Sequence, residues 1–213
     1  MIVDTSSIAP EASRRNAARA RDRGVSVLDA PVTGSPRIAE AGRLGVMIGG
    51  EEEIVREVRP ILETVAAVIV HAGPSGAGST LKLVNNLILG VAIQAVAEAL
   101  VLARKAGINP DHVREITSVG GARTGAMESR GSRMINADFS PHFSTNNMHK
   151  DLATALALAD SVGAAAPAAA AALEILRAAR AQGKGETDSA VVYTVIEQLS
   201  GLGRPPPTPP RDA

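Results

Sequence analysis

Lys82 and Asn86 are the residues in this chain whose types and spacing most directly suggest chemistry. They lie four apart in a stretch with helical periodicity, which puts them about 40° apart on one face and about 6 Å apart along the axis. An amine and an amide on one face of an apolar helix suggest a polar site in a dry wall. The alternative is a surface lysine with a snorkelling stem and an asparagine satisfied locally. Spacing alone leaves both open.

The residues just before them, Gly73-Pro-Ser-Gly-Ala-Gly-Ser-Thr80, form a glycine-rich turn. It is not a phosphate-cradling P-loop, because Ser79 stands where that motif needs lysine. It is not a dinucleotide fingerprint either, because Leu81 stands where the third glycine belongs. The glycines allow a tight turn and close backbone approach.

Composition narrows the classes. The 213 residues carry 22 basic and 22 acidic side chains, so no broad electrostatic footprint points to nucleic acid or an anionic membrane. Without cysteine there is no disulfide, thiolate nucleophile or zinc-thiolate site, which fits a cytoplasmic location. The four histidines have no metal spacing, so no metal site is expected. Two phenylalanines and one tyrosine leave the core to Ala, Val, Leu and Ile. No signal peptide is expected from the Met-Ile-Val-Asp start. Leu87 to Ala103 is apolar but interrupted by Gln94 and Glu98, so it reads as a helix buried in protein rather than a membrane span.

These residues need elements to hold them. Ile2-Val3 reads as a strand, and Ser7 or a neighbour caps a helix from Pro10 to about Arg23. Strands follow at Val25–Leu28, Leu44–Ile48 and Val68–Val70, with a helix from Glu51 to about Val65 in which Pro60 is a candidate kink. This alternation predicts a mostly parallel α/β sheet. From about Gly78 to Ala106 the pattern predicts one helix near 43 Å long. Further helices are expected from Pro110, near 126–134, and over 147–162, 168–182 and 188–199. The fold class is thus α/β followed by all-α, with a helical bundle around the long helix. Residues 1–72 form the sheet domain, 73–203 the helical domain, and the proline-rich 204–213 a disordered tail.

Four stretches occur in order: Asp4-Thr-Ser-Ser-Ile-Ala-Pro-Glu11, Asp29-Ala-Pro-Val-Thr-Gly-Ser35, Gly73 to Asn86, and His149-Lys-Asp-Leu152. Together with Gly131-Ser-Arg-Met134 and Asp138-Phe-Ser-Pro141, they resemble the β-hydroxyacid dehydrogenase family, which includes 3-hydroxyisobutyrate dehydrogenase and tartronate semialdehyde reductase. The resemblance covers about residues 1–200. It implies a Rossmann domain joined by the long helix to a helical domain, NAD or NADP as cofactor, a small carboxylate substrate and a homo-oligomer. It also implies an oxidoreductase in which Lys82 exchanges a proton with the hydroxyl of a 3-hydroxyisobutyrate-like acid, beside Asn86. Thr33, Gly34 and Ser35 match the substrate-carboxylate site. Ser7, Lys150 and Asp151 match the cofactor side.

The chain also departs from the family pattern. Thr33 replaces a serine, Ser35 replaces a glycine, and His149 stands where an apolar residue is common. The family's first βαβαβ half, with its Gly-x-Gly-x-x-Gly turn, is expected before Ile2, which makes this chain the C-terminal half of a Rossmann-like domain plus the helical domain. On that reading it binds nicotinamide cofactor weakly by itself. A non-catalytic remnant, a carboxylate-binding or dimerisation module, and an imine reductase are the alternatives. An intact Lys82 speaks against the last.

Overall fold

A computed structural model describes residues 1–203. The proline-rich 204–213 lie outside the described residues. The chain divides into two compact units. The first comprises Met1–Ile88 and Lys150–Ala166, and the second Leu89–His149 and the described residues from Pro167 onward.

The first unit is built on five strands, β1 (Ile2–Asp4), β2 (Val27–Asp29), β3 (Val32–Thr33), β4 (Leu44–Gly49) and β5 (Ala66–Gly73). Their order is β1-β2-β4-β3, with β5 also paired to β4. Pairs β1–β2 and β4–β5 are parallel, as the alternation of strand and helix predicts, but β4 runs antiparallel to both β2 and β3. The sheet is therefore mixed. The residues between β2 and β4 fold into β3 and the one-turn helix α2 (Pro36–Glu40), so the chain reverses beside β4 instead of crossing over.

Helix α1 (Pro10–Arg21) opens with Pro at its first position, where a missing N–H costs nothing. Its N-cap is Ala9 and no side chain caps it, so Ser7 does not serve that role. Helix α3 (Glu52–Leu62) starts in acids, which its dipole favours, and carries Pro60 inside its last turn. Leu28, Val46, Ile48, Val55 and Val58 form the core between sheet and helix. Each such side chain contributes about 1.5–3 kcal/mol by leaving water.

Helix α4 (Ala77–Lys105) is continuous over 29 residues. It is long and apolar enough to cross a membrane, and half of its most apolar window is buried within the protein. Residues up to Ile88 belong to the first unit and those from Leu89 to the second.

The second unit is helical. Helix α5 (Pro110–Ile116) is capped by Asn109, whose side chain accepts the Asp111 N–H at 3.0 Å. A π-helical turn at Met127–Gly131 runs into α6 (Ser132–Ile135). Helix α7 (Thr145–Ser161) carries its last twelve residues into the first unit, and α8 (Pro167–Ala181) follows. A 3₁₀ turn at Ser189–Val191 leads into α9 (Val192–Leu199). The buried carboxylate of Asp188 ties this unit together. It accepts the Ala190, His142 and Phe143 N–H groups at 2.9–3.1 Å and pairs with Arg130 and Arg133.

Candidate active site

Helix α4 is seated by a single carboxylate. Asp29, at the end of β2 and 4% exposed, accepts the Gly76 N–H on Oδ1 and the Ser79 N–H on Oδ2, both at 2.8 Å. These are two of the donors that the start of a helix leaves unpaired. The Ala77 N–H is taken by the Pro74 carbonyl. The glycine-rich turn therefore grips an internal anion. Gly76 sits at φ +89°. A Cβ at Gly78 would fall within 3.0 Å of the backbone of Met47, Asp29 and Gly49. Beneath them the Ser13 and Ser79 hydroxyls meet at 2.8 Å, fixing α1 to α4.

One turn further, Lys82 and Asn86 share a face, as their spacing predicts. Asn86 is 2% exposed and donates its Nδ2 to Asp151 Oδ2 at 2.5 Å, while its Oδ1 accepts Asn85 Nδ2 at 2.9 Å. Asp151, also 2% exposed, accepts the Ser7 hydroxyl on its other oxygen at 3.3 Å. Lys150 Nζ donates to the Ser7 carbonyl at 2.7 Å and lies 3.1 Å from Asp151 Oδ1. The loop after β1, the third turn of α4 and the second turn of α7 thus converge in the first unit. The hydroxyl of Ser7 is directed at Asp151 in place of the helix cap.

Lys82 is half-buried beside this cluster, and among the described residues its amine donates no hydrogen bond. Burial lowers its pKa below the ordinary lysine range. The Asp151 carboxylate pulls it back up, and the Lys150 ammonium adds to the lowering. An unpaired amine with a lowered pKa is suited to taking and returning a proton.

Thr33, Gly34 and Ser35 lie at the end of β3 and the start of α2. Among the described residues no side-chain hydrogen bond joins them to Lys82, Asn86 or Asp151. Thr33 lines an apolar groove of about 310 Å³ with Leu81, Asn85 and Ile88 of α4. It sits across from Gly45 in the ladder, where a Cβ on Gly45 would come 2.9 Å from the Thr33 methyl. Ser35, in extended backbone at φ −78°, is exposed and unstrained. Among the described residues no cluster of metal-ligating side chains occurs.

Two features went unread in the sequence. Asp29 was visible only as part of a motif, although a carboxylate at the end of an apolar strand is itself a signal. The link from Asp151 to Asn86 has no local sequence signal, because the two residues are 65 apart.

Residues 76–196 match the family model described as the NAD-binding domain of NADP-dependent 3-hydroxyisobutyrate dehydrogenase. Residues 1–73 match the NAD-binding domain of 6-phosphogluconate dehydrogenase. The chain belongs to the β-hydroxyacid dehydrogenase family. It is 37% identical to 2-(hydroxymethyl)glutarate dehydrogenase of Eubacterium barkeri, over 95% of this chain and 67% of that protein. It is 35% identical to 2-hydroxy-3-oxopropionate reductase of Escherichia coli, over 93% and 68% respectively. The structure of Mycobacterium tuberculosis 3-hydroxyisobutyrate dehydrogenase with L-serine superposes with a TM-score of 0.82. That match has 34% identity and covers 92% of this chain and 69% of that one. The chain spans about two thirds of the length of these relatives. The enzyme class of the family is that of NAD(P)-dependent 3-hydroxyacid dehydrogenases.

Ser7 and Lys150 lie just beyond the carboxyl end of β1, with the Ser7 hydroxyl donated to Asp151 and the Lys150 amine to the Ser7 carbonyl. The turn at 73–78 does not fit the pyrophosphate, because its Gly76 and Ala77 donors are taken and Ser79 is held by the same carboxylate.

Proposed function

We propose that this protein oxidises the hydroxyl of a small 3-hydroxy acid of the 3-hydroxyisobutyrate kind, with Lys82 as general acid and base. The observation that carries this reading is the unpaired, low-pKa amine of Lys82 beside the closed Asn86–Asp151–Ser7 network. When bound, NAD or NADP supplies the hydride acceptor. Neutral Lys82 takes the hydroxyl proton in the oxidation and returns it in the reverse direction. Asn86, locked by Asp151, holds the substrate beside the amine. The Thr33 hydroxyl and the backbone N–H groups of Gly34 and Ser35 receive the substrate carboxylate. Ser7 and Lys150 meet the nicotinamide side of the cofactor, and Asp151 fixes both to α4.

The same reading includes a cytoplasmic location and a homo-oligomer. Val68, Val70, Val84 and Ile88 are all exposed around the groove on the first unit, an apolar surface that association would cover.

The test is turnover of 3-hydroxyisobutyrate with NAD and with NADP, followed by absorbance of the reduced nicotinamide. Lys82→Ala lowers kcat by about 10²–10⁴-fold. Lys82→Arg fails too, because a guanidinium with a pKa above about 12 does not release its proton near neutrality. Near-normal turnover in Lys82→Arg would reduce Lys82 to an attracting charge and move the proton transfer elsewhere.

A further inference from the structure

The first unit carries a second concavity, away from the Asn86–Asp151 cluster. It is a pocket of about 260 Å³ between the end of α1, strand β2 and the start of α3. Among the described residues that line it are none of Ser7, Thr33, Lys82, Asn86, Lys150 or Asp151. Its floor is apolar: Ala17 and Leu28 are buried, and Val27 and Ile54 are half-buried. Its rim holds two opposite charges. Arg21 Nη2 stands 3.7 Å from Glu51 Oε1, with the two side chains 69% and 68% exposed. That separation is longer than a hydrogen bond, so guanidinium and carboxylate each keep bonding capacity for a third group. Ser26 and Ser75 line the same pocket, and their hydroxyls make no hydrogen bond among the described residues.

We propose that this pocket binds a free α-amino acid with an aliphatic side chain. The ammonium meets Glu51, the carboxylate meets Arg21, and the side chain covers the apolar floor. Binding here needs neither the nicotinamide cofactor nor turnover at Lys82.

Size, charge and floor each narrow the ligand. At about 260 Å³ the pocket falls below the range of roughly 300–1,000 Å³ that drug-sized ligands fill, so it suits a small metabolite. An anion drawn to Arg21 is repelled by Glu51, and a cation drawn to Glu51 is repelled by Arg21. An α-amino acid carries ammonium and carboxylate on one carbon and satisfies both. An exposed ion pair of this length contributes little, so separating it to admit the ligand costs little. Arg21 and Glu51 are the only charged side chains among the described residues that line the pocket. Over its floor an aliphatic chain gains by leaving water, whereas a polar chain loses hydrogen bonds. The two serine hydroxyls are the few placed polar groups by which such sites orient a ligand.

The experiment is calorimetric titration of the full chain with L-leucine at neutral pH. The comparison ligands are 4-methylpentanoate, which lacks the ammonium, and 3-methylbutylamine, which lacks the carboxylate. L-Leucine is expected to bind with a Kd of about 1 mM or below, and each analogue at least about tenfold more weakly. Arg21→Gln and Glu51→Gln each weaken L-leucine by at least about tenfold. Both side chains are exposed, so these variants keep the fold. Amide resonances locate the ligand, and those of Gly24, Ser26 and Ile54 are expected to shift. Weaker binding of L-leucine, equal binding of either analogue, or unchanged affinity in either variant overturns the proposal. So do shifts centred on Asn86 and Asp151, which would put the amino acid in the candidate active site. A chain that binds L-leucine in this pocket but oxidises no hydroxy acid refutes the dehydrogenase reading alone.

Discussion

Asn86 and Asp151 are 65 residues apart in the chain, and their side chains meet at 2.5 Å with both groups buried. The amide of Asn86 is thereby held in one orientation, with its oxygen taken by Asn85 and its nitrogen by the carboxylate. The same carboxylate raises the pKa of Lys82 against the effect of burial. Asp151 therefore sets both the direction of the amide and the proton affinity of the amine.

Replacing Asp151 by Asn separates these effects by pH. On the proposed mechanism oxidation needs the neutral amine, so its rate is expected to rise with pH as Lys82 loses its proton. Without the carboxylate the pKa of Lys82 falls further, and this rising limb shifts to lower pH. Lys150→Met removes a like charge and shifts it to higher pH. The pH profile of kcat for the two variants checks this, and shifts in one common direction would refute it.

Asp29→Ala leaves the Gly76 and Ser79 N–H groups buried without an acceptor. The expected cost is about 2–3 kcal/mol in urea unfolding. Because this carboxylate seats the helix that carries Lys82 and Asn86, kcat of the folded protein falls as well. A loss of stability with unchanged kcat would confine Asp29 to a structural role.

Gly45→Ala forces a Cβ against the Thr33 methyl. Overpacking of this kind costs about 1–3 kcal/mol, and if Thr33 binds the substrate carboxylate, KM rises at least about fivefold. Thr33→Ser in the same protein removes the methyl and restores KM. Steady-state kinetics of the single and double variants decide it, and a double variant no better than Gly45→Ala would rule out the contact as the cause.

Asp188 contributes to the pH dependence of stability in the second unit. Burial raises its pKa, but the Ala190 N–H, Arg130 and the Phe143 and His142 N–H groups outweigh that and leave it below the usual carboxylate value. A carboxylate with a lowered folded-state pKa contributes stability above its unfolded pKa, near 3.9, and loses it as pH falls through the folded value. Asp188→Asn is expected to cost about 3 kcal/mol at neutral pH and to flatten the decline in stability below about pH 4. Thermal unfolding across pH 2–7 measures both.

Long periodic segments were legible in the sequence. The helix expected over 78–106 is observed at Ala77–Lys105, and the shared face of Lys82 and Asn86 follows from their spacing. Strand β3 and helix α2 are two and five residues long, too short for a periodic pattern, so the antiparallel turn in the sheet went unseen. The helix start at Pro10 was legible, but Ser7 does not cap it, because a distant carboxylate takes its hydroxyl. Contacts such as Asp29 to Ser79 and Asp151 to Asn86 depend on elements meeting in space, which local pattern does not record.

The separation of Asn86 from Asp151 also orders events during synthesis. At about 5–20 residues per second, some 3–13 s pass between the appearance of the two residues. Through that interval α4 leaves the ribosome with the Lys82 amine lacking its counter-charge and Asn86 held only by its neighbour. The nascent chain thus carries the seat of the helix, Asp29, well before it carries the residue that completes the site.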